Sequence, residues 1–222
     1  REGKFVVFSA ACGYDALQSY MRSDQLLMAM ATDPDWVRDM VMTLASLNVE
    51  MARMALEKGV DFDGFWSFND MGYRNGLLFS PDTYRRTHKE ADAMIYGFAH
   101  EHGKPAILHS CGNVSELIPD LLEVGLDCLQ PLEVKAGMDL IGLKEQYGDR
   151  LAFWGCVGTQ TVMPFGTPEE VKATIKHLIE TVGAGGGLLL APTHVLEPDV
   201  PWENILAFFE AIETYGVYDS RQ

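Results

Sequence analysis

Short apolar runs alternate with longer amphipathic stretches along the whole chain. Six runs read as strands: "KFVVFS" (residues 4–9), "DFDGFWS" (61–67), "AILHS" (106–110), "DCLQP" (127–131), "LAFWGC" (151–156) and "GLLLA" (187–191). Helix signals lie between them. Ser80 and Pro81 open one helix, Ser as N-cap and Pro in the first turn, with Gly103 just past its end. Thr167 and Glu170 in "GTPEEV" have the spacing of a capping box. "DVPWENILAFFEAIETYG" closes on Gly216, a C-cap. Pro119 kinks or resets the helix in "SELIPDLLEVG", and the stretch from residue 24 to 58 holds two helices broken near "TDPDW".

Strand–helix alternation predicts an α/β fold with a parallel sheet and helical crossovers. The two candidate architectures are an open doubly wound sheet and a (β/α) barrel. No G-x-G-x-x-G or P-loop follows a strand, which removes the easiest support for a nucleotide-binding sheet. Polar residues gather instead where strands end: residues 67–70, 109–111, Glu133, Thr159 with Gln160, and Thr193 with His194. A TIM barrel concentrates its chemistry at that face. The expectation is therefore a TIM (β/α)8-type barrel forming a single domain over residues 1–222. Six strands against the roughly eight of a full barrel imply that its first one or two β/α units are missing. A barrel in that state exposes sheet edges and calls for a partner, a homo-oligomer being the simplest. No linker, low-complexity segment or short-period repeat interrupts the chain.

Charge narrows the partners. A formal net charge of −15 on 222 residues argues against nucleic acid or an anionic membrane surface. No eighteen-residue apolar stretch or signal-peptide pattern is present, so the expected location is the cytoplasm. Cys12, Cys111, Cys128 and Cys156 lack the dense spacing of a secreted disulfide framework and read as reduced thiols.

The candidate chemistry starts at "KPAILHSCGNV". His109 and Cys111 stand two apart where a strand ends, and strand residues i and i+2 share a face. Zinc accepts imidazole nitrogen and thiolate sulfur, and a catalytic zinc keeps one position open. His194, after the last strand, is the third candidate ligand, returned to the same face by barrel closure. Glu133 is a fourth ligand, an acceptor behind a ligand or a proton carrier. The same pair also reads as turn chemistry: His109 bonded to a carbonyl, and Cys111 a small buried hydrophobe. Asn69 and Asp70 follow the "FDGFW" strand and hold a polar substrate group or cap a turn. Tyr73 and Arg74 touch an anionic ligand or belong to an exposed loop. Gln160 points to the same end as His109. Cys12, Cys128 and Cys156 read as core fillers. His88, His100, His102 and His177 sit on helices among polar neighbours. Met21, Met28, Met30, Met40, Met42, Met51 and Met54 read as core packing, or as a surface for a large apolar ligand.

Three stretches, "ILHSCGNVSELIPDLLEVGLDCLQPLE", "GTPEEVKATIKHLIE" and "GGGLLLAPTHVLEPDVPWENILAFFEA", resemble the uroporphyrinogen decarboxylase superfamily. The resemblance runs from about residue 4 to 215. It implies a TIM barrel with a further N-terminal stretch that is missing here. One branch of the superfamily decarboxylates the acetate arms of uroporphyrinogen without metal or cofactor. The other comprises corrinoid-dependent, methylcobalamin:coenzyme M methyltransferase-like enzymes. In these, zinc held by H-x-C and a later cysteine activates a thiol to attack a methyl–cobalt bond. His109 and Cys111 match H-x-C, which the decarboxylases lack at this strand, and His194 stands at the later cysteine. The resemblance thus implies zinc on His109, Cys111 and His194. It also implies a methylated corrinoid (methylcobalamin, free or on a corrinoid protein) and a small-molecule thiol or pterin acceptor. Asp70 and Glu133 take catalytic roles; Asn69, Gln160 and Tyr73 touch substrate. His194 equally resembles a decarboxylase histidine that contacts a substrate carboxylate. A porphyrin-pathway carboxy-lyase, with His194 and Asp70 near the tetrapyrrole, is the second reading. A non-catalytic corrinoid- or tetrapyrrole-binding protein is the third.

Overall fold

All six apolar runs form strands, displaced by three residues at most from the sequence pattern. The computed structural model describes residues 3–217. The chain divides into two compact units, one ending at Leu129 and the other beginning at Gln130. In the first unit the order is β1 (Val7–Ala11), α1 (Gly13–Met21), α2 (Ser23–Thr32), α3 (Pro34–Glu57) and β2 (Gly64–Phe68). There follow β3 (Gly72–Tyr73), β4 (Gly76–Leu77), α4 (Pro81–Thr87), α5 (Lys89–Glu101), β5 (Ala106–His109) and α6 (Ile118–Glu123). Strand β6 (Cys128–Gln130) spans the boundary. The second unit holds α7 (Leu140–Tyr147), β7 (Ala152–Val157), α8 (Val162–Phe165), α9 (Pro168–Glu180), β8 (Leu188–Pro192) and α10 (Trp202–Tyr215).

Pairing is parallel in both units. β1 lies beside β2 with Ala11 opposite Phe68, and β2 lies beside β5 with Phe68 opposite His109. β7 lies beside β8 with Phe153 opposite Leu188. Parallel neighbours need helical crossovers, and helices lie between them. The first unit buries Phe65, Tyr84, Ile95, Tyr96 and Leu108; the second buries Phe153, Val171, Ile175 and Phe208. Each such side chain contributes roughly 1.5–3 kcal/mol on leaving water.

The break between α2 and α3 falls at Asp33, inside "TDPDW". Its carboxylate accepts the Trp36 N–H at 3.3 Å and Pro34 opens the helix. Val37, Val41, Ala45, Asn48, Val49 and Ala52 follow at helical spacing and form the buried stripe of α3. Asn48 is satisfied there by donating to the Ala11 carbonyl at 3.0 Å. That stripe leaves Leu47, Met51 and Met54 facing outward, and Met28 on α2 is 65% exposed. The expectation of methionine core packing therefore fails at Met28, Met51 and Met54; Met30 is the fully buried one of the set. The capping box of α9 forms as expected, with Glu170 N–H to Thr167 Oγ1 at 3.3 Å and Thr167 N–H to Glu170 Oε2 at 2.7 Å. Gly216 follows α10 and donates to Ile212 O.

The helix opened by Ser80 is two helices, α4 and α5, separated at His88. His88 is buried, stacked on Phe79 with centroids 5.1 Å apart, and bonded through Nδ1 to Thr87 Oγ1 at 2.7 Å. The expectation of polar surroundings for His88 is corrected: burial alone pushes its imidazole down to about 3, so it stays neutral. The sequence pattern also passes over the β3–β4 hairpin, whose strands are two residues each and whose turn is Arg74–Asn75. Among the described residues no helix is long and apolar enough to cross a membrane.

Candidate functional site

His109 is the last residue of β5, and Cys111 lies two residues beyond it, just before the bend at Gly112. Strand geometry ends at His109, yet the two side chains still meet: Cys111 Sγ is 3.4 Å from His109 Nε2. Asp70, two residues past β2, joins them, its Oδ1 3.3 Å from the same Nε2. The three potential ligand atoms all lie within 4.8 Å of one another. Phe68 and His109 are cross-strand partners at the ends of β2 and β5, so the residues just past each strand end are neighbours. The imidazole stands against an aromatic wall, 5.1 Å from the Phe68 ring and 6.4 Å from Trp66.

Backbone N–H groups tie the segments that carry Asp70 and Cys111 together. Asn69 N–H donates to His109 O at 2.9 Å, and Met71 N–H to Ser110 Oγ at 3.0 Å. Cys111 N–H donates to Asp70 Oδ1 at 2.6 Å, and Asn113 N–H to Tyr73 O at 2.9 Å. The segments approach so closely that a Cβ on Gly72 would sit 2.4 Å from Cys111 O, and one on Gly112 2.5 Å from Gly72 C. Gly112 also has φ +82°, where only glycine is unstrained. Burial pushes the Asp70 carboxyl up, but the His109 hydrogen bond, the Cys111 N–H and the His109 charge outweigh it, so the net shift is downward and the carboxylate form is favoured. Asp15 behaves oppositely: burial and then the Asp70 charge hold it above its ordinary value.

The donor set fits zinc. Imidazole, thiolate and carboxylate are its usual ligands, and tetrahedral neighbours at normal bond lengths sit about 3.5 Å apart. The two separations at His109 Nε2 match that spacing before any side chain moves.

The other sequence-derived candidates fall elsewhere. Asn69 is wholly buried and caps α1, its Oδ1 accepting the Tyr14 N–H at 2.8 Å. Tyr73 is 66% exposed on β3. In the second unit, Glu133, Gln160 and Thr193 line a cavity of about 330 Å³ together with Cys156. His194 is exposed in the bend after β8. Sequence reasoning missed Asp15, Ser110 and the glycine pair Gly72 and Gly112. Glycines at both 72 and 76, flanking "YRN", are the local signal that could have found the hairpin.

With this geometry in hand, comparison with known proteins is decisive on family. The sequence model of the family described as Uroporphyrinogen decarboxylase (URO-D) matches residues 6–215. The chain belongs to the uroporphyrinogen decarboxylase family. Family membership and a solved fold agree on architecture. A methyltransferase from Methanosarcina mazei superposes with a TM-score of 0.74 at 21% identity, over 96% of this chain and 59% of that one. The fold is α/β of the TIM-barrel type. Among family relatives, the methylcobamide:CoM methyltransferase MtaA of Methanosarcina barkeri is 30% identical over 138 residues, 62% of this chain and 38% of its own length. A methylated-thiol–coenzyme M methyltransferase of Methanosarcina mazei is 28% identical over 141 residues, 60% of this chain and 34% of its own. The chain thus matches little more than a third of the length of these curated relatives.

Proposed function

We propose that this family chain is the zinc-bearing part of a methyltransferase that moves a methyl group from a methylated corrinoid to a thiol or pterin acceptor. The observation that carries the reading is the convergence of Asp70, His109 and Cys111 donor atoms within 4.8 Å. The similarity to relatives named as methylcobamide and methylated-thiol methyltransferases supports it. His109 would donate from Nε2, Cys111 from its thiolate and Asp70 from its carboxylate. A zinc ion held there would supply an open position and lower the pKa of an acceptor thiol.

The protein's own groups prepare that event. The Phe68 and Trp66 rings restrain the imidazole, and the Cys111 N–H fixes the Asp70 carboxylate at 2.6 Å. The Cys111 thiolate and the Asp70 carboxylate would together offset the two positive charges of a bound zinc, which would favour electron donation by a thiol acceptor. Glu133 is assigned to proton transfer, and Asn69, Gln160 and Tyr73 to substrate contact. The resemblance's assignment of His194 as a ligand is tested separately by His194→Ala. A corrinoid protein as partner, a single domain through the chain and a cytoplasmic location complete the proposal.

The test is zinc content of protein purified without chelators. Close to one zinc per chain is expected, lost in Cys111→Ser and in His109→Ala; metal-free wild-type protein refutes the reading. The family description itself names a decarboxylase, so uroporphyrinogen turnover is measured beside it. Turnover untouched by Cys111→Ser would establish the carboxy-lyase instead.

A further inference from the structure

The geometry points to Asp15 as a positioning residue that aims Asp70 at the metal site. Its carboxylate uses both oxygens: Oδ2 accepts the Asp70 N–H at 3.1 Å, and Oδ1 accepts from Gln18 Nε2 at 2.7 Å. Gln18 therefore holds the Asp15 rotamer, and Asp15 holds the main chain of Asp70. Asp70 in turn receives the Cys111 N–H and faces His109 Nε2.

The contact spans fifty-five positions of sequence and is reciprocal. The start of α1 lends Asp15 to the 69–70 segment, and that segment returns Asn69 Oδ1 to the Tyr14 N–H at 2.8 Å. Cys12 N–H adds a bond to Phe68 O at 2.8 Å. The two segments are so close that a Cβ on Gly13, which has φ +48°, would lie 2.5 Å from Asn69 Nδ2. A carboxylate in the first turn of a helix also has a plainer use, stabilising the helix N-terminus by a fraction of a kcal/mol. That use needs no bond to Asp70 and leaves the metal ligands alone.

The inference rests on the zinc reading above, and its test separates the two. Zinc affinity is measured by competition with a chromophoric chelator for wild type, Asp15→Ala and Asp15→Asn. Cobalt-substituted absorption spectra and melting of the chelator-treated proteins are recorded alongside. Partners behind metal ligands are typically worth about 10–100-fold in affinity. Asp15→Ala is expected to lose that much, with a weakened thiolate-to-cobalt band. Asp15→Asn keeps an oxygen for the Asp70 N–H and is expected to stay near wild type. Equal zinc affinity in Asp15→Ala, even with a lower metal-free melting temperature, overturns the positioning role and leaves only helix stabilisation. So does an Asp15→Asn variant as weak as Asp15→Ala. Wild-type protein that binds no zinc overturns both readings.

Discussion

Asp92 is a carboxyl enclosed in the first unit, 3% exposed on α5, with the Tyr84 hydroxyl donating to its Oδ2 at 2.8 Å. Burial raises it from 3.8 to about 7, and the Tyr84 bond only partly opposes the rise. Because the folded state holds this proton more tightly than the unfolded state, stability falls as pH rises from about 4 to about 7 and stays low above that. At about 1.36 kcal/mol per pH unit the interval corresponds to roughly 4 kcal/mol at pH 8 and less than half of that at pH 5. Asp92→Asn removes the titration and keeps an acceptor for Tyr84, but buries an amide N–H at about 1–3 kcal/mol. The variant should thus match wild type near pH 5 and exceed it by about 1–3 kcal/mol at pH 8. In a chain of this size that is a melting-temperature gain of roughly 2–12 °C. Thermal melts of both proteins at pH 5 and pH 8, in chelator-treated buffer, read it directly. A melting difference of the same size and sign at both pH values would refute the argument, since only the titration can make the difference grow.

Two further outcomes follow from the packing. Gly112→Ala places a Cβ 2.5 Å from the Gly72 backbone at φ +82° and should cost at least about 2 kcal/mol, whereas Gly97→Ala, in open space on α5, should gain about 0.5–1 kcal/mol; urea unfolding of the two variants checks the contrast. Asp120, its carboxyl held below the usual range by the Arg85 hydrogen bond and then by Lys89, adds stability that is present above about pH 4 and lost as pH falls further, so Asp120→Asn should lower the melting temperature at pH 7 and converge with wild type in acid melts.

The strands were legible because each is a short apolar run with no competing period. The break before Pro34 and the start of α9 were legible because a cap is a local event, written within four residues. His109 and Cys111 were legible for the same reason. The sequence marks Asp70 as a catalytic candidate, but its place beside them depends on β2 and β5 being neighbours, which no local pattern states. Asp15 was invisible, since its partner is fifty-five residues away. His88 was misjudged because its sequence neighbours are polar while its spatial neighbours are Phe79 and Tyr84. The methionines of α2 and α3 were misjudged because a helix has more apolar residues than its buried stripe can take.

Where Gly72 of the hairpin meets Gly112 of the segment after β5, neither residue carries a side chain. The closeness of the approach there is therefore set by the backbone, and any larger residue at either position would push the two segments apart. The tip beyond this contact, Arg74 and Asn75, is exposed on both residues. Changes at that tip leave the Gly72–Gly112 contact untouched.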